Sequence, residues 1–282
     1  MIVIKSFGGL GNQMFQYVFY RYLLLDNDDT YFDTSDFYIH NHHYGFELTK
    51  VFDLDFKKIS NKELRTIRFD NSTFFYRLLY KIFNIDIIKK TEFVEVLGTT
   101  FINRAKYKKD IYFKGYWQNK KYLEQFDKDI FIFKNNLVGK NLEMINKYKD
   151  KETVSIHIRA CDYINNSTLG KVCDREYYSK AIDIIEKRVN NCTFIVFSDD
   201  IEYAKSIMSG KKVEYVDWNK DEDSYKDMQL MSCCKHNIIA NSTFSWWAAW
   251  INTNKNKIVI MPSIWNKTES YNPLIVDGWI TI

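Results

Sequence analysis

The chain has 282 residues, long enough to bury a sizeable core and to form two medium-sized domains as readily as one large one. Its 46% hydrophobic and 17% aromatic content excludes a disordered or coiled-coil chain. The net charge of +4 arises from 40 basic and 36 acidic residues intermixed along the chain, which is too mild to indicate nucleic-acid binding. It fits an anionic small ligand or a loose association with an acidic membrane surface.

The N-terminal segment predicts a strand, a glycine loop and a helix, in that order. "MIVIKSF" is a strand-like apolar run, "GGLG" interrupts it, and "NQMFQYVFYRYLLL" carries apolar residues at helical spacing. We expect no secretion signal or membrane anchor, because the opening apolar run stops at glycine. The five cysteines show no CxxC spacing, so we expect reduced thiols in a cytoplasmic protein.

The glycine loop permits the close approach of a polar ligand such as a sugar. As a dinucleotide-binding fingerprint it is weak, because Met14 stands where a third glycine belongs. A tight structural turn is the alternative interpretation. The residues of the loop and of the helix start are Gly8, Gly9, Gly11, Asn12 and Gln13.

Residues 26–110 alternate short aromatic runs with polar clusters and predict no clear organisation. Further on, "GYWQNKKYLEQF" predicts a turn that opens an amphipathic helix. The passage "NLEMINKYKDKE" is polar and has no strong apolar face, so we place a domain boundary there. The sequence thus predicts an N-terminal domain over residues 1–150 and a C-terminal domain over residues 151–282.

From residue 151 onward, strands and helices alternate regularly. The predicted strands are "TVSIHI", "TFIVFSDD", "VEYVD", "HNIIA" and "KIVIMP". This alternation predicts a parallel sheet with helices on both faces, whose ligands bind outside the carboxyl ends of the strands. The polar residues at three strand ends are therefore candidates for binding. They are His157, Arg159 and Asp162, then Ser198, Asp199 and Asp200, then Asn241, Ser242 and Thr243.

Arg159 and the hydroxyl-rich helix start after Asn241 together favour a bound pyrophosphate. Arg159 offers a charged planar fork that matches phosphate oxygens, and Asp162 is placed to orient it. Taken alone, this pair is equally well explained as an internal ion pair. Ser242 or Thr243 predicts an N-cap, and a helix N-terminus presents free amides to an anion. An anion explains the hydroxyls and the strand-end arginine together.

Asp227 lies beside the apolar stripe of a predicted helix, where a carboxylate needs a hydrogen-bond donor. A structural cap or a surface edge is one interpretation. A guanine ring, with its adjacent N1 and N2 donors, is the other.

Several DxD triplets occur, among them "DLD", "DKD" and "DED", and metal-dependent sugar transferases often use such pairs. Each lies in an ordinary charged stretch, and none coincides with the strand ends where phosphates are expected. We therefore expect no required metal.

Five motifs follow one another along nearly the whole chain: "GGLGNQMFQY", "GYWQNKKYL", "VSIHIRACDY", "FSDD" and "DEDSYKDMQLMSCCKHNIIANSTFSWWAAWIN". Together they resemble glycosyltransferase family 11, the alpha-1,2-fucosyltransferases. The resemblance implies an α/β GT-B fold, with two Rossmann-like domains whose parallel sheets face each other across a cleft. It also implies inverting, metal-independent transfer of L-fucose from GDP-beta-L-fucose to the 2-hydroxyl of a terminal galactose, without a cofactor.

The resemblance also assigns roles to the candidate residues. Arg159 would bind the pyrophosphate and stabilise GDP as it leaves the sugar. The other donor-binding residues would be Asn12 and Gln13 at the fucose, His157 and Asp227 at the nucleoside, and Ser242, Thr243, Phe244 and Ser245 at the pyrophosphate, completed by Gly11, Ser198, Asp199 and Asn241.

Neither the general base nor the acceptor site can be read from the sequence. Asp162 and His157 are candidate bases by proximity, although Asp162 could serve only to orient Arg159. Acceptor contacts are expected in the N-terminal domain. The sugar-facing candidates there are His42, His43, Tyr44, Tyr116 and Trp117.

The family pattern is commonly HxRRxD, whereas this chain has Ala160 in place of the second arginine. We expect activity, because the retained Arg159 is the one the mechanism needs most. The substitution leaves open another GDP-sugar or fucosyl linkage, and a non-catalytic homologue that binds a carbohydrate or nucleotide. A nicotinamide oxidoreductase is a third alternative, suggested by the N-terminal glycines and an acid near Asp33.

The soluble bacterial members that the chain resembles typically modify surface polysaccharide such as O-antigen or capsule. Their acceptor can be lipid-linked, so we expect a galactose-terminated glycan as partner, no nucleic acid, and at most peripheral contact with the inner membrane.

Overall fold

The computed structural model describes residues 1–38, 44–67, 92–95, 101–107, 110–161, 163, 166–170, 172–268 and 272–282. The chain forms two compact units. One comprises Met1–Glu47 and Asp55–Gln125, and the other comprises Leu48–Leu54 and Phe126–Ile282. This division differs from the boundary expected near residue 150, because the polar passage before that residue forms a helix of the second unit and buries Met144.

The N-terminal unit is built on a four-stranded parallel sheet with the order β2-β1-β4-β3. Since β1 and β4 are its central strands, the loops that follow them lie side by side at the carboxyl edge of the sheet. The strands are β1 (Ile2–Lys5), β2 (Thr30–Asp33), β3 (Glu92–Val94) and β4 (Ile111–Lys114), and the unit's described α-helices are α1 (Leu10–Leu24) and α3 (Asn61–Ile67).

Helix α1 follows β1 through the glycine loop, as the sequence predicts. Gly8 has a φ of 79°, and a Cβ at this position would come within 3.0 Å of Asn12 Nδ2, so the turn requires glycine. Most of the helix is buried, including Phe15, Tyr17 and Phe19. A helix that is apolar around its circumference belongs to a protein interior, which fits its place against the sheet.

The C-terminal unit is built on a six-stranded parallel sheet with the order β10-β9-β8-β5-β6-β7. Its strands are β5 (Glu152–Ile158), β6 (Cys192–Ser198), β7 (Val213–Val216), β8 (His236–Ile238), β9 (Val259–Met261) and β10 (Ile280–Thr281). Its described α-helices are α2 (Leu48–Val51), α4 (Lys140–Tyr148), α5 (Arg175–Glu186), α6 (Ile201–Ile207), α7 (Tyr225–Cys233) and α8 (Thr243–Ile251).

This order confirms the predicted parallel sheet and identifies its switch point. From β5 the chain continues to β6 and β7 on one side, whereas from β8 it continues to β9 and β10 on the other. The loops that follow β5 and β8 therefore diverge and leave a crevice at the carboxyl edge, where open α/β sheets bind ligands. The central strand β6 buries apolar side chains on both faces, for example Ile195 and Val196 on opposite faces, because helices cover the sheet.

Helix α8 is firmly anchored beside this crevice. Trp246 and Trp247 are fully buried in the core. At the other end, the ammonium groups of Lys257 and Lys128 both donate to the carbonyl of Asn252, at 2.7 and 2.8 Å. Cations at a helix C-terminus satisfy its exposed carbonyls and stabilise its dipole. Burial, together with the neighbouring Lys128, lowers the pKa of Lys257 to about 7.

Candidate donor-binding site

Arg159 lies at the switch point, one residue beyond the end of β5, and pairs with a carboxylate from the neighbouring strand end. Its Nη1 donates to Asp199 Oδ2 at 2.9 Å, and the main-chain amide of Ala160 donates to Asp199 Oδ1 at 2.8 Å. Both side chains remain partly exposed, at 28% and 21%. An ion pair this exposed contributes little to folding stability, so its main consequence is to orient the guanidinium.

The predicted orienting residue, Asp162, lies outside the described residues. The orienting carboxylate among those that are described is Asp199, which follows β6. A further contact holds the loop after β5: the guanidinium of Arg159 lies 5.7 Å from the ring centre of Tyr163, whose hydroxyl donates to the carbonyl of Asn241 at 3.1 Å. The loops on the two sides of the switch point are thereby connected.

The two residues next to Asp199 have local roles. Ser198 donates its hydroxyl to the carbonyl of Asp200 at 2.9 Å and accepts the Asp200 amide at 3.1 Å, so it shapes the turn after β6. The carboxylate of Asp200 caps α6 by accepting the amide of Tyr203 at 3.0 Å. Of the three polar residues at this strand end, Asp199 is the one directed to Arg159.

His157 is buried at the end of β5, with 5% of its surface exposed. Burial, with a smaller contribution from the charge of Arg159, lowers its pKa to about 3. The ring is therefore neutral at physiological pH and too weakly basic to act as the general base that the sequence left open. Its Nδ1 has no hydrogen-bond partner among the described residues, and its ring centre lies 5.8 Å from that of Phe244. A buried, unpaired ring nitrogen calls for a ligand group that can complete it.

Helix α8 begins on the other side of the switch point. Ser242 precedes it in extended conformation, but its side chain makes no capping hydrogen bond, so the predicted capping by Ser242 is not found. Ser242 and Ser245 are buried, Thr243 and Phe244 are partly exposed, and the Ser245 hydroxyl donates to the Ser242 carbonyl at 3.3 Å. The first-turn amides of a nine-residue helix thus point to the carboxyl edge, which is the arrangement that binds anions.

Asn241 has a structural role as well as its predicted place at the site. Its amide nitrogen donates to the carbonyls of Leu169 and Trp265, both at 3.0 Å. These bonds fix the loop that leads into α8. The side-chain nitrogen therefore positions the anion-binding amides, and a direct donor contact from it would require these bonds to break.

Asp227 lies in the first turn of α7 and belongs to a network that the sequence did not reveal. Asn219 donates to Asp227 Oδ1 at 2.7 Å, and it exchanges hydrogen bonds with Asn141 at 2.8 and 3.0 Å. The indole of Trp218 also donates to Asn141, at 2.7 Å. Burial raises the pKa of Asp227 to about 7, against the opposing effect of the Asn219 hydrogen bond. A desolvated carboxylate oriented this way is suited to a bidentate donor pair.

Gln13 does not face a ligand in the N-terminal unit, contrary to the prediction. It is fully buried, and its amide nitrogen donates to the carbonyls of Gly8 and Gly45, both at 2.9 Å. Its amide oxygen accepts the main-chain amide of Glu47, also at 2.9 Å. With these three bonds Gln13 fixes the glycine loop. Gly11, likewise predicted at the donor, is buried within α1.

Asn12 and Gln13 are the two residues predicted to contact the fucose, and Asn12 is the one that is partly exposed. Its Oδ1 accepts a hydrogen bond from Gln118 Nε2 at 3.0 Å, which joins the start of α1 to the loop after β4. A polar contact between Asn12 and a sugar stays a prediction.

The proposed acceptor residues divide into three groups. His42 and His43 lie outside the described residues. Trp117 is fully buried and stacks on Phe19 with ring centres 4.1 Å apart, so it belongs to the core and its ring cannot lie against a sugar. Tyr44 is 49% exposed, and Tyr116 is partly exposed beside Phe7, so these two remain candidates.

Within the described residues, no group of three or more His, Cys, Asp or Glu side chains is arranged to hold a metal ion. All five cysteines are free. No helix in the described part of the chain is both long and apolar enough to cross a bilayer.

Comparison with known proteins adds a family and a fold. The family model "Glycosyl transferase family 11" matches residues 2–282. The O-antigen biosynthesis glycosyltransferase WbnK of Escherichia coli is 36% identical over 98% of this chain and 98% of its own length. An alpha-1,2-colitosyltransferase of Escherichia coli is 35% identical over 100% of this chain and 99% of its own length.

Among solved structures, NodZ alpha-1,6-fucosyltransferase soaked with GDP-fucose covers 88% of this chain and 91% of its own, with a TM-score of 0.51 and 11% identity. This likeness concerns the fold alone, and it confirms the predicted α/β GT-B fold class.

Proposed function

The chain belongs to glycosyltransferase family 11, and from that premise we propose that it transfers L-fucose from GDP-beta-L-fucose to the 2-hydroxyl of a terminal galactose. The transfer inverts the anomeric centre and requires no metal. The observation that carries this proposal is the oriented Arg159 at the switch point, opposite the first turn of α8. This is the chemistry that a departing diphosphate needs.

The donor-binding site must stabilise the negative charge of the leaving group, GDP. As the bond between the sugar and the β-phosphate breaks, positive charge develops on the sugar and negative charge on GDP. In the absence of a metal, this negative charge must be stabilised by fixed donors. The guanidinium of Arg159 and the amides of α8 are such donors, and a single preorganised contact of this kind typically lowers the barrier by roughly 3 kcal/mol.

The guanine of the donor would be recognised by Asp227. Its ionised carboxylate accepts hydrogen bonds from N1 and N2 of guanine, and adenine lacks this pair of donors. Neutral His157, buried beside Phe244, would complete the nucleoside site through its unpaired Nδ1. Without a ligand, His157 Nδ1 has no described hydrogen-bond partner, and within the described part of the chain Asp227 accepts a side-chain hydrogen bond from Asn219 alone. A bound guanosine would supply the additional partners, which supports specificity for a guanine nucleotide.

Ala160 does not argue against activity. Its side chain is fully buried, and its amide is bound to Asp199, so it contributes to the orientation of Arg159 through the backbone. This supports a transferase over a binding-only homologue.

The acceptor we propose is a galactose-terminated glycan of the O-antigen class, as the similarity to WbnK suggests. An intermediate of this class can be carried on a lipid. The protein would then act in the cytoplasm, with peripheral contact at the inner membrane.

A second candidate donor is favoured by the similarity to the alpha-1,2-colitosyltransferase across the whole chain. Colitose differs from fucose by the absence of the 3-hydroxyl. A site that hydrogen-bonds this hydroxyl discriminates strongly against the deoxy sugar, whereas a site with an apolar contact there does not.

The function is tested by incubating the protein with lactose and either GDP-fucose or GDP-colitose in the presence of a chelator, and by determining the product linkage by NMR. We expect an alpha-1,2-fucosylated product, formed at least tenfold faster than the colitosyl product. If colitose were transferred faster than fucose, GDP-colitose would replace GDP-fucose as the assigned donor. A product with a different linkage would overturn the assignment of the 2-hydroxyl as the acceptor. Donor binding without turnover on a panel of galactosides would favour another acceptor or a binding role.

A further inference from the structure

Glu95 is a carboxylate at the carboxyl edge of the N-terminal sheet that no motif in the sequence singled out. It follows β3 directly, and its main-chain amide donates to the carbonyl of Lys114 at 2.9 Å, which continues the pairing of β3 with β4. Its position relative to the sheet therefore corresponds to that of Arg159 in the C-terminal unit. Catalytic and binding residues of parallel sheets concentrate at this edge.

The carboxylate of Glu95 is held by the backbone of the neighbouring loop. Its Oε2 accepts the amides of Tyr116 and Trp117 at 2.7 and 2.8 Å. The loop approaches so closely that a Cβ at residue 115 would lie 2.4 Å from Glu95 Cβ, a distance that only glycine avoids. Trp117 has a φ of 55°, a conformation that costs a non-glycine residue free energy and persists only where its surroundings hold it. The loop is thus shaped around this carboxylate.

Aromatic and amide side chains lie in the loops that follow β1 and β4, at the same edge of the sheet as Glu95. Tyr116, whose amide binds the carboxylate, packs its ring 4.9 Å from that of Phe7, which follows β1. Asn12 and Gln118 join the helix start to the same loop by a 3.0 Å hydrogen bond. A carboxylate, side-chain amides and an aromatic ring thus follow strands of the same sheet at one edge, and polar groups of this kind fix the orientation of a bound ligand.

The electrostatics of Glu95 suit a proton acceptor. Burial raises its pKa above the usual range, against the opposing effect of the two amide donors. Burial also raises the pKa values of the Tyr116 and Tyr122 phenols, and the charge of Glu95 adds to the rise at Tyr122. No described lysine or arginine forms an ion pair with Glu95. A cation paired with the carboxylate would weaken it as a base, and the described part of the chain supplies none.

We propose that Glu95 is the general base, which binds the 2-hydroxyl of the acceptor galactose and takes its proton during transfer. This inference rests on the proposed function. The acceptor oxygen forms a bond to C1 of the donor sugar, the bond from C1 to the β-phosphate oxygen breaks with its electron pair going to GDP, and the acceptor proton passes to the carboxylate of Glu95. Proton and charge are thereby balanced without a further reactant.

The alternative is that Glu95 only holds the loop in place. The substitution Glu95→Gln separates the two roles, because the amide oxygen of glutamine can still accept both main-chain amides but cannot take a proton. Glu95→Ala removes both roles. Glu124→Gln is the matched control, since Glu124 is an exposed glutamate of the same unit.

The experiment measures kcat for transfer at saturating donor as a function of pH, and Tm, for each variant. For Glu95→Gln we expect kcat to fall by about 100-fold or more, the size typical of a lost general base. The fall of the parent's kcat toward low pH, caused by protonation of Glu95, should disappear in this variant. Its Tm should stay at the parent's value, and Glu124→Gln should behave as the parent.

The outcomes separate this inference from the proposed function. If the parent transfers fucose and Glu95→Gln retains its kcat and pH profile, the base assignment is wrong and Glu95 is structural. If Tm falls in Glu95→Gln as much as in Glu95→Ala, the loss of activity reports folding and again contradicts the assignment. If the parent transfers no sugar to any galactoside, the proposed function itself fails.

Discussion

The carboxyl edges of the two sheets are laid out alike but carry opposite charges at their candidate sites. In the C-terminal unit the edge presents an arginine and the amides of a helix start, whereas in the N-terminal unit it presents a carboxylate beside amide and aromatic side chains. The first set suits an anion that leaves, and the second suits a hydroxyl that must lose a proton. Under the proposed function, one type of sheet edge would serve both the leaving group and the acceptor, because the side chains at the strand ends differ.

The two groups also differ in how they are held. Arg159 is oriented by another side chain, that of Asp199, in a partly exposed ion pair. Glu95 is oriented by main-chain amides in a loop that requires glycine at position 115. A side-chain anchor can be removed by one substitution, while a main-chain anchor cannot. The C-terminal site should therefore be the more sensitive of the two to substitution of its supporting residue.

Among substitutions of supporting residues, the largest effect is expected from Asp199→Ala. We expect kcat to fall by about 100-fold, because a misplaced arginine loses much of a preorganised contact worth roughly 3 kcal/mol. Asp199→Asn should be milder, since it can still accept the Ala160 amide. When Arg159 is already replaced by alanine, Asp199→Ala should lower kcat little further, because the effects of substituting two coupled residues do not add. Equal costs in both backgrounds would show that Asp199 does not act through Arg159.

Gln13→Ala should produce the next largest effect, on stability alone. It leaves the Gly8 and Gly45 carbonyls and the Glu47 amide without their buried partner, which should lower the free energy of unfolding by about 2 kcal/mol. Urea unfolding measures this change, and GDP titration should give the parent's Kd. If Gln13→Ala instead weakened GDP-fucose binding without lowering stability, the result would support the contact between Gln13 and the fucose that the sequence predicted.

The third effect is a pH dependence of donor binding through Asp227. The ionised carboxylate accepts guanine, so affinity is full above the pKa of about 7 and falls below it. Between pH 8 and pH 6 the Kd of GDP should rise about tenfold, since each pH unit below the pKa protonates most of the remaining carboxylate. Calorimetric titration measures this. The rise should disappear in Asp227→Asn and persist in Asp223→Asn, whose carboxylate forms an exposed pair with Lys226. A Kd independent of pH in the parent would contradict guanine recognition by Asp227.

The C-terminal unit was largely predictable from the sequence, and the N-terminal unit was not. Every strand from "TVSIHI" to "KIVIMP" was found where the alternation placed it, because buried parallel strands are continuous apolar runs bounded by amphipathic helices. The pairing of Arg159 with Asp199 could not be predicted, since it depends on which strands are neighbours. The sequence offered Asp162, the nearer carboxylate along the chain.

The other differences arise where a polar residue is buried. Gln13 follows glycines at a helix start, and nothing in its neighbours shows that it is enclosed and bonded to three main-chain groups. Asn141 lies in the polar passage that suggested a domain boundary, yet it is 5% exposed and supports Asn219 and Asp227. Glu95 lies in the stretch whose pattern predicted no organisation. Burial of such residues is set by tertiary contacts, which a linear pattern does not contain.

The central claim, a leaving group stabilised by Arg159 without a metal, is tested most directly by GDP release from GDP-fucose with and without lactose, in chelator. Parent, Arg159→Ala and Arg159→Lys are compared with Arg188→Ala, an exposed arginine of the same unit. We predict that lactose stimulates release by the parent and by Arg188→Ala, and that Arg159→Ala loses this by about 100-fold or more, with Arg159→Lys intermediate because it keeps the charge but not the fork. Release by Arg159→Ala at the parent's rate, or a parent that is inactive until a divalent cation is restored, would contradict the claim.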